Sequence, residues 1–193
     1  MRVRIDPPAE AWAARGGALA AEVHAAAGPL SLGVAHIGST AIPGMAAKPV
    51  YDLQMRVAAL SPAPCSALDE PLAGLGFARR PYERDHVPAG RPDPPSRWRK
   101  RCYTRGAPEP VNLHIRLAGS PNERLALLFR DWLRAHPAAV AAYAAFKLVL
   151  ADHVADLGPY TDVKDPVVDL VVAAAEDWAA ATGWTVTYET PGG

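Results

Sequence analysis

The sequence lacks the marks of several common protein classes. Its 193 residues include 2 cysteines, Cys65 and Cys102, which form no CxxC pair and no zinc-ligand spacing. No apolar run approaches the roughly 18 residues that span a bilayer, because Lys147 interrupts the alanine-rich stretch after Pro137. Formal net charge is zero, so nothing in the overall charge indicates nucleic-acid binding. We therefore expect two buried thiols in a soluble, cytoplasmic protein with no membrane partner.

Hydrophobic residues make up 50% of the chain and are grouped in short segments that alternate with polar ones. Segments typical of strands and helices alternate up to about residue 120, and only helical segments follow. Asp6 and Pro7 are typical of a helix N-cap and first helical position. This order predicts an α+β protein with a mixed sheet, helices on one face and a C-terminal helical segment. We expect a core over residues 1–120, a helical segment over 121–182 packed on it as one compact unit, and a tail over 183–193 in which Trp184 to Tyr188 form a short strand or pack loosely.

One short region holds the strongest functional signal. An apolar run ends at Gly38 and Ser39, and a second run, which starts near Val50, carries Asp52 in its middle. A glycine-serine turn allows backbone amides to approach an anion, and a carboxylate on the neighbouring strand can hold a divalent cation there. The pattern predicts a metal-triphosphate site. It is not a Walker A loop, because the sequence contains no GxxxxGK[ST].

Strand periodicity predicts a polar face around Asp52. Successive strand residues point to opposite faces, so Asp52 and Gln54 share a face, as do Asn112, His114 and Arg116 on a later strand. Arg99 and Arg101 lie two positions apart on another predicted strand and therefore share a face as well. We expect both to contact phosphate. The alternative is that this face is merely solvated.

The stretch HIGSTAIPGMAAKPVYDL, from His36 to Leu53, resembles the signature of the GrpB-like proteins, a branch of the nucleotidyltransferase superfamily. Later segments resemble the family as well: VNLHI from Val111, LFRDWLRAHP from Leu128, Tyr143 with Lys147, and Tyr160 with Lys164. The resemblance implies a nucleotidyltransferase-like fold. It also implies that Gly38, Ser39 and Thr40 bind nucleotide phosphates, with Lys48, Lys147 and Lys164 close to them.

The resemblance implies a catalytic role for Asp52 and a Mg²⁺ or Mn²⁺ cofactor. The superfamily has a second carboxylate two positions later, where this chain has Gln54, a weaker oxygen ligand. We expect Asp52 and Gln54 as metal ligands. His114 matches a polar family position as a general base, metal ligand or substrate contact, or as a structural histidine. Lys48 is also consistent with an ordinary surface lysine.

Three functions fit these observations. The first is metal-dependent transfer of a nucleotidyl group from a nucleoside triphosphate to an unknown acceptor. The second is a non-catalytic module that binds a nucleotide, a coenzyme-A-related ligand or another anion, which Gln54 favours. The third is an accessory protein that works through its helical surface. The sequence leaves the oligomeric state open.

Overall fold

The computed structural model describes residues 3–154 and 157–188, without the side chains of residues 64, 65 and 157–161. The predictions for the Cys65 thiol and for Tyr160 therefore lie outside the described residues, as does the end of the predicted tail. The helices are α1 (Ala11–Ala27), α2 (Pro62–Ser66), α3 (Asp69–Gly74), α4 (Pro121–Ala135), α5 (Pro137–His153) and α6 (Leu157–Thr182). The strands are β1 (Gly33–Ile37), β2 (Tyr51–Val57), β3 (Ala78–Arg80), β4 (Lys100–Arg105) and β5 (Val111–Leu117).

The strands form one mixed five-stranded sheet in the order β1-β2-β5-β4-β3. Strands β2 and β5 pair in parallel at its centre, whereas the other neighbours are antiparallel. The parallel pair sets Asp52 beside Asn112 and Gln54 beside His114. The predicted α+β class with a mixed sheet is confirmed.

One face of the sheet packs into the main hydrophobic core. Leu53, Met55, Leu113 and Ile115 point to this face, are fully buried, and belong to one apolar cluster with residues of α1 and α3. The alternation of β2 and β5 thus separates apolar from polar side chains as predicted, because burying the apolar side chains of one face stabilises this register.

The opposite face is polar and lies under α4, which contacts both β1 and β5. Helix α4 begins where Ser120 accepts a hydrogen bond from the Glu123 amide, 3.4 Å away, and Pro121 occupies the first turn. Helix α6 packs on α4, and α5 packs on the turn that follows β1. The site therefore lies between the polar face and the C-terminal helices.

The prediction for Asp6 is wrong, and of the two alternatives for residues 184–188 the strand is absent. Asp6 is not an N-cap, because its backbone pairs with Ala47 in an isolated bridge and α1 starts only at Ala11. Residues 184–188 are irregular and form no strand, although they pack against α4 and the sheet. The buried thiol predicted at Cys102 is confirmed.

Within the described residues, none of the helices is long and apolar enough to cross a lipid bilayer.

Candidate functional site

The glycine-serine turn closes directly onto Asp52. Strand β1 ends at Ile37, which pairs with Asp52, and the chain then turns with Gly38 at φ +70°. A Cβ atom at position 38 would lie 2.5 Å from Oδ2 of Asp52, so only glycine fits here. Ser39 begins a single 3-10 turn that ends at Ala41. The predicted convergence of the turn and the carboxylate is therefore present.

Lys147 reaches the same turn from α5. Its Nζ donates to Oγ of Ser39 at 2.9 Å and to the Ala46 carbonyl oxygen at 2.5 Å. The side chain is 3% exposed, since Lys147 lies on the buried stripe of α5 with Val140 and Tyr143. The resemblance predicts that Lys147 lies close to the Gly38–Ser39 turn, and the structure places it there.

The charges of two further lysines act on Lys147. Burial lowers the pKa of Lys147 to about 7, and the charges of Lys164 and Lys48 contribute to that lowering, whereas Asp52 raises the pKa. Burial also lowers the pKa of Lys48, again with Lys164 adding to the effect and Asp52 opposing it. Three amino groups and one carboxylate therefore lie within electrostatic range of one another, and this cluster around Ser39, the lysine pocket, is strongly cationic.

Asp52 is held by two polar neighbours on β5. Asn112 Nδ2 donates to its Oδ1 at 2.8 Å, and His114 Nε2 lies 3.9 Å from the same oxygen. Burial alone would raise the pKa of Asp52, but His114, Asn112 and Lys164 outweigh it, and the pKa is lowered. Asp52 is therefore ionised at neutral pH, with its side chain 32% exposed.

His114 has a defined tautomer. Its Nδ1 lies 3.2 Å from Nζ of Lys100, which is a donor only, so Nδ1 accepts and Nε2 carries the proton. Burial lowers the pKa of His114, as do Arg116 and Lys100, although Asp52 opposes them. The neutral ring thus turns an N–H toward Asp52. This arrangement favours a positioning role over the predicted general-base role, which stays a prediction.

A second carboxylate, Asp85, neutralises the cations next to His114. It accepts from Nζ of Lys100 at 2.6 Å and from Nε and Nη2 of Arg116 at 2.8 and 3.1 Å. Asn122 of α4 also donates to it at 2.9 Å. Burial raises the pKa of Asp85, but Arg116 and Lys100 lower it far below its usual range. Asp85 is thus a structural anion of the polar face.

Gln54 is fully hydrogen-bonded away from Asp52. Its Oε1 accepts from Nη1 of Arg116. Its Nε2 donates to the Glu123 carbonyl oxygen at 3.1 Å and to the Tyr188 hydroxyl at 2.9 Å. To bind a metal ion, the amide oxygen would have to give up Arg116. Among the described residues, no three His, Cys, Asp or Glu side chains are grouped as a metal site. The donor set therefore does not fit a two-cation centre, and the metal role of Gln54 stays a prediction.

Thr40 and His36 lie on the α1 side of the turn. The Thr40 hydroxyl donates to the Val50 carbonyl at 3.4 Å and contacts Nε2 of His36 at 2.8 Å, and both side chains are buried. A Cβ atom on Gly16 of α1 would lie 2.0 Å from Nδ1 of His36. The Thr40 hydroxyl is thus used in the interior, and its predicted phosphate role would need these contacts to break.

The prediction that Arg101 shares the polar face with Asp52 is wrong. Arg101 pairs with Ile115, whereas Lys100 and Cys102 pair with Arg116 and His114. Arg101 therefore lies on the apolar side of the sheet, opposite Asp52. Arg99 precedes β4, has an exposed side chain and accepts from Asn122 through its carbonyl oxygen. Neither arginine belongs to the pocket around Ser39.

Sequence reasoning missed the lysine that β4 supplies to the polar face. A signal was available, because Tyr103 is an aromatic residue that favours the core, and strand alternation then places Lys100 and Cys102 on the other face. Tyr103 is indeed buried in the main core. The role of Tyr188 had no such signal, since an irregular tail has no periodicity.

Comparisons with known proteins agree with this architecture. Residues 2–174 match the family model described as GrpB protein. The chain is 32% identical to UPF0157 protein PA4798 of Pseudomonas aeruginosa, over 90% of this chain and 68% of that protein. It also matches a crystal structure of the conserved protein GrpB from Enterococcus faecalis, with a TM-score of 0.72, 24% identity, and coverage of 91% of this chain and 99% of that one.

Longer relatives carry a different name. The chain is 37% identical to a protein named dephospho-CoA kinase from Mycolicibacterium paratuberculosis, over 94% of this chain but 48% of that protein. A protein of the same name from Mycobacterium leprae is 33% identical, with 46% of its length covered. The chain thus spans about half the length of these curated relatives.

Proposed function

The chain belongs to the GrpB family, and on that premise we propose that its pocket binds the phosphate groups of a nucleoside triphosphate or a related phosphate ester. The observation that carries this proposal is the contact between Lys147 and Ser39, within electrostatic reach of Lys48 and Lys164. Ammonium groups within electrostatic range of one another repel. A polyphosphate would offset that repulsion and accept hydrogen bonds from them.

Asp52 limits the number of metal ions in this proposal. A single Mg²⁺ or Mn²⁺ held by Asp52 and by the phosphates would neutralise phosphate charge, and the exposed part of the Asp52 side chain suits that role. A second cation would lack a carboxylate, because Gln54 is bonded to Arg116. Binding of phosphate is therefore the main function that we propose, with the lysines as its principal determinants.

Nucleotidyl transfer is the second candidate. The close approach of Gly38 to Asp52 favours it, because this juxtaposition is what the resemblance to nucleotidyltransferases implies. Catalysis of such a transfer with one carboxylate would depend on a single cation and on the lysines. The kinase activity in the names of the longer relatives is not proposed, since this chain lacks a Walker A sequence. Dephospho-CoA is nevertheless a sensible ligand to test.

Binding is tested by thermal unfolding and calorimetry with ATP, GTP, CTP, UTP and dephospho-CoA, each with EDTA and with Mg²⁺. A ligand at about 100 times its Kd stabilises the native state by about 2.7 kcal/mol. We expect Lys147→Met to weaken binding at least tenfold, and Arg80→Gln, an exposed change on β3, to leave it unchanged. If none of these compounds binds with or without metal, the proposal is wrong.

Transfer is tested separately. The protein is incubated with α-³²P-labelled triphosphates, Mg²⁺ or Mn²⁺ and a cell extract as the source of acceptors. Label that moves to an acceptor in the wild type but not in Asp52→Asn supports transferase activity. Binding without any transfer of label would support the non-catalytic module.

A further inference from the structure

A cationic cavity lies at the other end of the polar face from Asp52. It has a volume of about 610 Å³ and is lined by four arginines: Arg56, Arg91, Arg97 and Arg124. Arg56 is near the end of β2, whereas Asp52 is near its start. The other arginines come from the loop before β4 and from the first turns of α4, so the cavity forms where separate segments meet.

The carboxylates of this cavity do not use up the donors of the arginines. Arg124 and Arg91 share Glu176 of α6, with Nη1 of Arg124 at 2.6 Å and Arg91 in a second close contact. Burial raises the pKa of Glu176, but Arg124 and Arg91 outweigh it, so the pKa is lowered and the group is ionised. Each guanidinium has five N–H donors, so one shared carboxylate leaves several of them for another acceptor.

The other two arginines lie beyond hydrogen-bond distance of their nearest carboxylates. Nε of Arg56 lies 3.6 Å from Glu123, and Nη1 of Arg97 lies 3.6 Å from Asp93. Glu123 is occupied elsewhere, because it accepts from the Gly119 amide at 2.6 Å and from the Tyr188 hydroxyl at 3.1 Å. Within the described residues, Nε of Arg56 is buried and has no hydrogen-bond partner. Because this Nε is not accessible from the cavity, a ligand would contact the outer nitrogens of the Arg56 guanidinium group.

Aromatic side chains of the tail orient two of the guanidinium groups. Arg56 lies over the ring of Tyr188 at 5.0 Å, and Arg124 lies over the ring of Trp184 at 5.5 Å. Stacking restricts a planar guanidinium before any ligand arrives, which lowers the ordering cost of binding. Four guanidinium groups face three carboxylates, so the cavity is one positive charge in excess.

We propose that this cavity binds a small organic anion through a carboxylate or phosphate group, at a site separate from the lysine pocket. Arginine matches the geometry of both groups through two parallel hydrogen bonds, as lysine does not. The volume lies within the range of small-molecule pockets, about 300–1,000 Å³. An occupant would bridge β2, the loop before β4 and α4, and would thus tie that loop to the body of the protein.

Calorimetry with two probes, citrate and pyrophosphate, tests this proposal and distinguishes the carboxylate from the phosphate arm. We expect at least one probe to bind Lys147→Met, which disables the lysine pocket, and Lys48→Gln serves the same purpose if that variant does not fold. Arg97→Gln changes a 56% exposed side chain, so it is expected to fold. It should weaken binding at least fivefold, Arg56→Gln at least tenfold, and Arg80→Gln not at all.

The outcomes separate this site from the function proposed above. Loss of binding of both probes in the lysine variants would show that they occupy the lysine pocket and would overturn the second site. Binding that is equal in the wild type, Arg97→Gln and Arg56→Gln would overturn it as well. The nucleotide experiment can fail while this one succeeds, because the two use different residues.

Discussion

Gly38 packs directly against Asp52, with space for a hydrogen atom but not for a methyl group between the turn and Oδ2. This contact couples the conformation of the glycine-serine turn to the position of the carboxylate. A change at one residue must therefore displace the other.

Gly38→Ala is expected to be destabilising by about 2–6 kcal/mol, because it adds a steric clash to the cost of a positive φ, and each is of order 1–3 kcal/mol. Gly90→Ala is the control for a positive φ, since Gly90 has φ +79° and a Cβ atom there would meet no other atom within 4 Å. Urea unfolding of both variants measures the loss at Gly38 beyond that of a positive φ, to which the clash and the ψ of −170° at Gly38 both contribute. Equal losses in the two variants would contradict the contact with Asp52.

Ligand binding should depend on pH through Lys147. Its pKa is about 7 in the folded protein and 10.5 ordinarily, so the free protein loses this proton as pH rises through 7. A bound anion favours the protonated form, and we therefore expect the tightest binding below pH 7 and progressive weakening above it. Calorimetry in buffers of different ionisation enthalpy should detect proton uptake near pH 7.

The stability of the free protein should change in the opposite sense. Between pH 7 and 10.5 the unfolded chain keeps a proton that the native Lys147 has released, so this group makes stability rise with pH. Lys147→Met should remove that rise. A pH profile of the melting temperature that is the same in wild type and variant would argue against a depressed pKa.

Asp85→Asn is expected to cost about 3–5 kcal/mol, because it leaves the buried cations of Arg116 and Lys100 without their carboxylate. Because the pKa of Asp85 is depressed, its contribution is present above the unfolded value of about 4 and is lost as pH falls below it. The variant should therefore also show a shallower acid limb. Glu83→Gln, which breaks an exposed pair with Arg79, should cost no more than about 0.5 kcal/mol.

Gln54→Glu introduces the second carboxylate of the superfamily pattern, yet we expect no metal site to result. The new oxygen would face the Glu123 carbonyl, to which Gln54 Nε2 now donates, so about 1–3 kcal/mol of stability should be lost. Mn²⁺ titration followed by electron paramagnetic resonance measures the metal affinity. Micromolar Mn²⁺ binding that appears in this variant would show that the position is poised for a cation.

Alternation made β2 and β5 predictable, because each has one apolar face that only a single register can bury. It failed for β4, where basic residues occupy both faces and only Tyr103 distinguishes them. The approach of Lys147 to Ser39 came from the resemblance, since a contact between residues 108 positions apart has no local signal. The role of Asp85 depends on partners from distant segments, which no spacing rule can assemble.

Tyr188 covers the middle of the polar face, because its hydroxyl contacts both Gln54 and Glu123. Any shortening of the chain that removed residues 184–188 would let water reach the Gln54–Arg116 pair and would free Arg56 from its aromatic support. Recombinant versions trimmed after α6 are therefore expected to be less stable than the full chain.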